Sequence, residues 1–184
     1  MNYRKIASSA AIVAALVVGS ACGEDEAPKV AVSADEAPSV SEGLDLLNAG
    51  KSDEALGVFE KIIAAKDDDG SGLAYYNAGV ILQGKGDLEK AESYYRQAIA
   101  LEPTLNEAYY NLGVVLRTKG DAEAALAQFA TVMTVAGMPV DLRVSALTNT
   151  AELKAAKGDT KGAQAAYDEA VSLSPAVSVP PEYA

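Results

Sequence analysis

The side chains that most often carry enzyme chemistry are scarce in this sequence. It contains no histidine, so the commonest general base and metal ligand is missing, and its only thiol is that of Cys22. Carboxylates are numerous, but nothing in the helical pattern brings two of them together in a pocket. We therefore expect no catalysis, no metal site and no cofactor. The chemistry that remains to be explained is that of one unpaired thiol near the N-terminus.

Cys22 follows a segment with the features of an export signal. Two basic residues precede an uncharged, mostly apolar run at residues 6–18, which is shorter than the ~20 residues needed to span a bilayer. Residues 19–22, Gly-Ser-Ala-Cys, resemble the lipobox of bacterial lipoproteins, although leucine is usual where Gly19 stands. The resemblance implies that Cys22 carries a diacylglycerol and that residues 1–21 are removed as a signal peptide. An ordinary signal peptide with an incidental thiol is the alternative.

The lipoprotein resemblance also implies an exported protein held on a bacterial membrane. Gly23, rather than Asp, follows the cysteine, which favours the outer membrane facing the periplasm if the host sorts lipoproteins as enteric bacteria do. Residues 22–38 are rich in Ala, Pro and acids and lack a helical apolar stripe, which is typical of a flexible tether behind the lipidated cysteine.

Removal of residues 1–21 would leave a strongly acidic chain. The sequence carries 15 basic and 26 acidic residues, a formal charge of −11. The signal peptide takes away two of the basic residues and no acid, so the formal charge becomes −13. Such a surface repels phosphate backbones and anionic head groups. We therefore expect no nucleic-acid partner, and attachment to the membrane would depend on the acyl chains.

From residue 39 onward, helical segments alternate with Gly-Asp or Ser-Asp turns. Each turn supplies a glycine to end one helix and an Asp to cap the next. A spaced set of residues also recurs after 34 residues, because Gly79 and Tyr95 return as Gly113 and Phe129. A period of this length predicts a solenoid of stacked helix-turn-helix units. The predicted helix pairs are 39–49 with 53–66, 72–84 with 87–101, 106–118 with 121–136, and 140–156 with 159–173.

The residues of this pattern resemble the tetratricopeptide repeat. The second repeat fits every packing position of that family, with Tyr75, Gly79, Leu82, Ala91, Tyr95, Ala98 and Pro103. The third fits with Tyr109, Gly113, Leu116, Ala125 and Phe129, and the fourth with Ala163, Tyr167, Ala170 and Pro175. The resemblance implies an all-α, right-handed superhelical solenoid of about four helix-turn-helix repeats over residues 39–176. The repeats lie at about 36–69, 72–105, 106–139 and 144–177.

The outer repeats depart from the pattern. Ser39 stands where the first repeat needs a large residue, and Lys154 stands at the second position for a large residue in the fourth repeat. The interval from Ala125 to Ala163 is four residues longer than the 34-residue period, so we predict an extra helical turn, with Pro139 at its start. The tail at 177–184 either lies over the exposed end of the array or stays loose, and the sequence does not decide between these.

The resemblance also implies a binding groove formed by the first helix of each repeat. Transferred position by position, its lining is Tyr76, Asn77, Val80, Gln83, Tyr110, Asn111, Val114, Arg117 and Asn149. An Asn side chain both donates and accepts, so the three asparagines could hold a peptide backbone of any sequence. A polar helix face that contacts water or the neighbouring repeat is the alternative. Related domains that clamp carboxylates also use Lys and Arg, but here Glu107 and Glu152 oppose the single Arg117.

Two other patterns suggest ligands that we do not expect. Residues 79–85 resemble the Walker A spacing, but Gly86 stands where Ser or Thr would hold magnesium and no strand precedes it, so we expect no nucleotide. Asp67–Gly70 suggests a calcium loop, but Ala65 and Tyr76 stand at its first and twelfth ligand positions. We interpret that segment as a solvated acidic turn.

The sequence therefore predicts a lipid-anchored protein-interaction module rather than an enzyme. We expect a scaffold or assembly factor of a cell-envelope complex that binds a peptide or helix of another envelope protein in the groove. A pilotin-like or outer-membrane assembly lipoprotein is the alternative. A glycan-associated regulator or a carboxylate enzyme is a distant alternative. Saturable turnover that is lost with one carboxylate would favour the enzyme, whereas stoichiometric co-purification with an envelope protein would favour the scaffold.

Overall fold

The computed structural model describes residues 38–65, 71–135 and 137–183, and all regular elements within these residues are helical. The predicted all-α repeat architecture is confirmed, and each helix begins and ends within two residues of its predicted bounds. Residues 1–37, with the predicted signal peptide, Cys22 and nearly all of the tether, lie outside the described residues, as does Asp67–Gly70. The helices are α1 Val40–Asn48, α2 Ser52–Ala65, α3 Ser71–Gly84, α4 Leu88–Leu101, α5 Asn106–Thr118, α6 Ala122–Thr134, α7 Val140–Ala156 and α8 Thr160–Leu173, followed by a 3-10 turn at Pro181–Tyr183.

The turn inside each repeat uses the same backbone hydrogen bonds. Between α3 and α4, Gly86 adopts a φ of +82°, and the Asp87 amide donates to the carbonyl of Leu82 at 3.0 Å. This Schellman geometry requires a residue that tolerates positive φ. The Asp87 carboxylate then accepts from the Lys90 amide at 3.2 Å and caps α4. The turn that follows α1 shares these backbone bonds, since the Lys51 amide donates to the Leu46 carbonyl at 2.9 Å. It differs at the cap, because α2 begins at Ser52 and Asp53 lies within its first turn.

The two helices of a repeat approach closely where a glycine faces an aromatic ring 16 residues later. A Cβ atom on Gly79 would lie 2.9 Å from Cε1 of Tyr95, and one on Gly113 would lie 2.6 Å from Cε1 of Phe129. Gly43 and Phe59 repeat the contact in the first repeat. These three rings are fully buried. The glycines therefore set the distance between the helices, since any side chain at their positions would collide with the ring.

Small residues on the second helices complete the crossing, and the repeats then stack on one another. Four alanines are fully buried at equivalent places, namely Ala55, Ala91, Ala125 and Ala163. The second helix of each of the first three repeats packs against the first helix of the next, so α2 contacts α3, α4 contacts α5 and α6 contacts α7. This arrangement gives each internal repeat two neighbours that bury its apolar surface.

The irregular features at the C-terminal end are now defined. Helix α7 has 17 residues against 14 in α3 and 13 in α5, which confirms the predicted extra turn. Pro139 is the N-cap residue of α7 rather than its first helical residue. The tail lies over the end of the array, with Val177, Val179 and Tyr183 packed against the apolar residues of α7 and α8.

None of the helices in the described part of the chain is long and apolar enough to cross a bilayer.

Replacement of Gly113 by Ala should destabilise the fold by up to about 2 kcal/mol. The added methyl group overpacks against Phe129, at a cost of about 1–3 kcal/mol, and the better helix propensity of Ala returns about 1 kcal/mol. Gly57→Ala is the matched control, because a Cβ there meets nothing within 4 Å. It should stabilise by about 0.5–1 kcal/mol. Urea denaturation measures both, and shifts of the same sign would contradict the close-contact argument.

Candidate functional site

The first helices of successive repeats form a continuous surface, here called the inner face. Helix α3 contacts α5, and α5 contacts α7, in addition to the contacts within and between the repeats. Within the described residues, no contact of similar extent joins α4 to α6 or α6 to α8. The first helices therefore lie closer together than the second helices, which places the predicted groove residues of α3, α5 and α7 side by side.

Two tyrosines of the inner face rest on buried aromatic rings of their own repeats. The rings of Tyr76 and Tyr95 have centroids 6.0 Å apart, and those of Tyr110 and Phe129 are 5.9 Å apart. Both pairs are tilted by nearly 50°. Such tilted aromatic pairs are favourable arrangements that hold each ring in place. Tyr76 and Tyr110 are thus fixed parts of the surface, half-buried against the core.

The asparagines connect the repeats to one another. The Asn111 side-chain amide donates to the Tyr76 hydroxyl at 3.3 Å, and that of Asn149 donates to the Tyr110 hydroxyl at 3.4 Å. Asn149 also donates to the Ser145 carbonyl at 2.8 Å, and Asn77 donates to the Leu73 carbonyl at 2.8 Å. Each of the three asparagines therefore donates at least one hydrogen bond within the protein. The side-chain carbonyl of Asn111, which has no partner among the described residues, stays available to accept a hydrogen bond from a ligand.

Arg117, the basic residue of the predicted groove, is held by neighbouring polar groups. Its guanidinium donates to the side-chain carbonyl of Asn149 and forms an ion pair with Glu152 at 2.8 Å. Both partners of the ion pair are about 40% exposed, so the pair contributes little stability, but it neutralises Arg117. A ligand carboxylate would have to displace Glu152, so the described residues do not assemble a carboxylate clamp. Gln83 is also engaged, since its side-chain carbonyl accepts from the Tyr95 hydroxyl at 2.7 Å.

An apolar row runs along the inner face beside the asparagines. In α3 and α5 it consists of Tyr76, Val80, Tyr110 and Val114, all of them partly buried. In α1 the same two repeat positions hold Val40 and Leu44, which the groove prediction did not include. Their spacing from Gly43 could have identified them, because Val40 precedes Gly43 as Tyr76 precedes Gly79. In α7 these positions become Thr148 and Glu152, so the apolar row ends at the fourth repeat.

Two leucines of this surface are unusually open. Leu44 is 40% exposed and Leu73 is 37% exposed, and both belong to the small group of large apolar side chains that the described surface leaves to solvent. Exposed apolar residues grouped beside a polar border are typical of a protein-binding surface.

A second set of contacts between repeats was missed by sequence reasoning. The lysine at each of the last three intra-repeat turns reaches an acid of the preceding repeat, in the pairs Lys85–Asp53, Lys119–Glu89 and Lys157–Glu123. Lys119 also donates to Glu92 at 2.7 Å, and this hydrogen bond raises the pKa of the lysine above its usual value. The recurring Lys beside each turn glycine was the signal, but its partner lies in another repeat.

The Walker-like pattern can be compared with the structure, whereas Asp67–Gly70 lies outside the described residues. Gly79 is buried against Tyr95 inside a helix, and Lys85 pairs with Asp53, so residues 79–85 do not form a phosphate-binding loop. Within residues 38–65, 71–135 and 137–183, no three His, Cys, Asp or Glu side chains lie close enough together to hold a metal ion.

The fold and the inner face define a helical-repeat protein that presents an extended surface to other molecules. Residues 72–105, 107–136 and 144–177 match the tetratricopeptide repeat, and together these matches cover more than half of the chain. The chain belongs to the tetratricopeptide-repeat family. Domains of this family bind other proteins and are in general interaction modules rather than enzymes.

Solved structures share this fold. The crystal structure of MamA is similar with a TM-score of 0.67 and 21% identity, over 74% of this chain and 76% of that chain. PilW, a type IV pilus biogenesis factor, is similar with a TM-score of 0.64 and 18% identity, over 78% of this chain and 63% of that chain. The pilF protein of Pseudomonas aeruginosa has a TM-score of 0.63 and 17% identity, over 74% of this chain and 60% of that chain. A search of curated proteins found no match.

The contact between Asn149 and the Tyr110 hydroxyl should be measurable as a coupling energy. In a double-mutant cycle of Tyr110→Phe and Asn149→Ala, we expect a coupling of about 0.5–1 kcal/mol, because each single change removes this hydrogen bond. Urea denaturation of the four proteins gives the value. A control cycle with Tyr109→Phe should show no coupling, since no hydrogen bond joins that hydroxyl to Asn149. Equal coupling in the two cycles would mean that the long hydrogen bond contributes nothing.

Proposed function

We propose that this protein is a membrane-anchored interaction module that binds an amphipathic peptide or helix of another cell-envelope protein on its inner face. The observation that carries the proposal is the apolar row of Tyr76, Val80, Tyr110 and Val114, which is bordered by asparagines. Val40 and Leu44 hold the equivalent positions of α1. An amphipathic helix places apolar side chains along one stripe, which fits a row of this kind.

The charges of the inner face favour a partner with a basic rather than an acidic polar side. Arg117 is neutralised by Glu152, whereas Glu107 lies on the same face without an ion pair in the described residues. The formal charge of the whole chain is −11. A basic segment would be attracted to such a surface before it makes contact, whereas an acidic one would be repelled. The partner we propose therefore combines an apolar stripe with Lys or Arg.

The inner face is also ordered before any partner arrives. The hydrogen bonds from Asn111 to Tyr76 and from Asn149 to Tyr110 join adjacent repeats, and both tyrosines rest on buried rings. A surface with fixed side chains loses little conformational entropy on binding, so more of the contact energy appears as affinity. This supports a scaffold role, in which the array offers a fixed template to a mobile segment of its partner.

The envelope location and the lipid anchor are supported by the sequence alone. Residues 19–22 resemble a lipobox after an apolar run of signal-peptide length, so Cys22 would hold the array on a membrane, facing the periplasm from the outer membrane. A pilotin-like or assembly lipoprotein is the second candidate. The likeness to PilW, whose name describes a type IV pilus biogenesis factor, favours it as a hypothesis, although 18% identity shows the fold alone.

Leucine-to-glutamate changes on the inner face test the binding surface. Leu44→Glu with Leu73→Glu should weaken partner binding at least tenfold. The two carboxylates would replace open apolar contacts, and they would have to lose water where the apolar stripe of the partner packs. Leu101→Glu is the matched control, since Leu101 is 46% exposed on α4, away from the inner face. Melting temperatures should stay unchanged in all three proteins. A control that loses as much binding as the inner-face variant would move the site elsewhere.

The partner for that measurement can be identified by photo-crosslinking in living cells. A crosslinking amino acid at Tyr110 should give a defined product with one envelope protein, while the same group at the exposed Ala130 of α6 should not.

Membrane attachment depends on the thiol of Cys22. The Cys22→Ala protein should lose incorporation of labelled fatty acid and move from the membrane to the soluble fraction, because the acidic protein surface offers no other attraction to anionic lipid. Cell fractionation with a salt wash measures this. A variant that still sediments with membranes after the wash would rule out the lipid as the anchor.

A further inference from the structure

The apolar row crosses the first helices rather than following any one of them. Within α3, Tyr76 and Val80 are four residues apart, which is about 6 Å along the helix axis. Helix α5 contacts α3 and repeats the pair with Tyr110 and Val114. In α1 the same two positions are apolar again. An apolar pair therefore recurs in three successive repeats, and the axes of α3 and α5, as helices in contact, are about 8–10 Å apart.

Polar groups close the row on both sides of α5. Glu107 lies three residues before Tyr110, and Arg117 lies three residues after Val114. Residues that are three apart share one face of a helix, and Arg117 is held there by its ion pair with Glu152. An apolar segment that lay along α5 would therefore meet a charged side chain within one turn at either end. The inner face favours an apolar segment that runs across the helices.

The polar groups of the inner face offer little to the main chain of an extended ligand. Such a segment carries unpaired N–H and C=O groups, so it needs donors and acceptors from successive repeats. Asn149 donates to the Tyr110 hydroxyl and to the Ser145 carbonyl. Its own side-chain carbonyl accepts from Arg117, so each polar atom of Asn149 has a partner, and the carbonyl of Asn111 is left as an acceptor. An α-helix, whose main chain is paired internally, needs no such row of groups.

The distance between the first helices also matches the repeat of a helix. An α-helix rises 1.5 Å per residue, so seven residues cover about 10.5 Å and return to the same face. An extended chain rises about 3.3 Å per residue and covers the same interval in about three residues. Residues three apart in a strand point to opposite sides. Only the helix therefore presents one apolar side chain to each repeat on a single face.

We propose that the ligand of the inner face is an α-helix that lies across α1, α3 and α5, with one apolar anchor for each repeat and the anchors about seven residues apart. This inference rests on the function proposed above and specifies the shape and sequence pattern of the partner. Three anchors at i, i+7 and i+14 require a helix of about 15 residues, which is roughly 21 Å long. Beyond the third anchor the helix would meet Thr148 and Glu152 of α7, so the residues that follow it are polar.

Photo-crosslinking at one position in each of three repeats tests this proposal with the full chain in living cells. A diazirine-bearing amino acid replaces Leu44, Val80 or Val114, which occupy the same repeat position, and mass spectrometry identifies the partner residue that each one labels. We expect the labels from Val80 and Val114 to be about six or seven residues apart in the partner. The label from Leu44 should lie a similar distance further in the same direction. The exposed Ala130 of α6 is the control and should label no residue of that segment.

The spacing of the labels distinguishes a failure of this inference from a failure of the proposed function. Labels from Val80 and Val114 that are four residues apart or fewer would overturn the crossing helix, because they fit an extended segment or a helix that lies along α5. The partner would still bind on the inner face in that case. If none of the three positions labels an envelope protein, the binding surface itself is wrong and the inference falls with it.

A second arm tests the helix directly with the labelled segment as a synthetic peptide and the purified Cys22→Ala protein, which carries no acyl group. Proline placed halfway between two labelled residues should weaken binding at least about tenfold in fluorescence anisotropy, because proline breaks a helix. Alanine at the same place is the matched control and should change the affinity less than about threefold. Equal effects of proline and alanine would overturn the proposal.

Discussion

The structure depends on the contact between a glycine of one helix and an aromatic ring of the next. In the first three repeats the ring fills the space that a Cβ atom on the glycine would need, so the two helices meet at a distance that only glycine permits. That distance fixes how far each hairpin opens. Because the hairpins are alike, it also fixes how they stack, and thus which side chains of α3, α5 and α7 become neighbours.

The fourth repeat shows what happens when this contact changes. Ala151 stands where the other repeats have glycine, and Thr148 stands where the second and third repeats have a tyrosine. Tyr167 therefore has no aromatic neighbour on the first helix of its own repeat, and Tyr183 of the tail packs against it instead. The change at the crossing, the end of the apolar row and the arrival of the tail all occur in one repeat. The fourth repeat therefore departs from the other three at the crossing, on the inner face and in its contacts with the tail.

Features that arise within one repeat could be predicted from the sequence, whereas features that arise between repeats could not. Gly79 and Tyr95 are 16 residues apart and belong to one hairpin, so their spacing predicted the crossing, and the four added residues predicted the long α7. The partners of Asn111 and Asn149 lie 35 and 39 residues away. The repeat pattern predicted these asparagines in one row, but only the stacking of the helices shows that each donates to a tyrosine hydroxyl of the preceding repeat. The place of the tail depends on stacking for the same reason.

Because the side chains of the inner face are already fixed, the conformational entropy lost on binding comes mainly from the partner. The tyrosines of this face are held by buried rings and its asparagines by neighbouring repeats, so the array has little conformational freedom left to lose. The partner must therefore supply most of the ordering entropy. Its contacts would also change along its length, because the first three repeats offer an apolar row and the fourth offers Thr148 and the ion-paired Glu152. In the binding mode proposed above, a segment that is apolar along most of one face and polar at one end would match both parts in only one direction, so the inner face would favour one orientation of its partner.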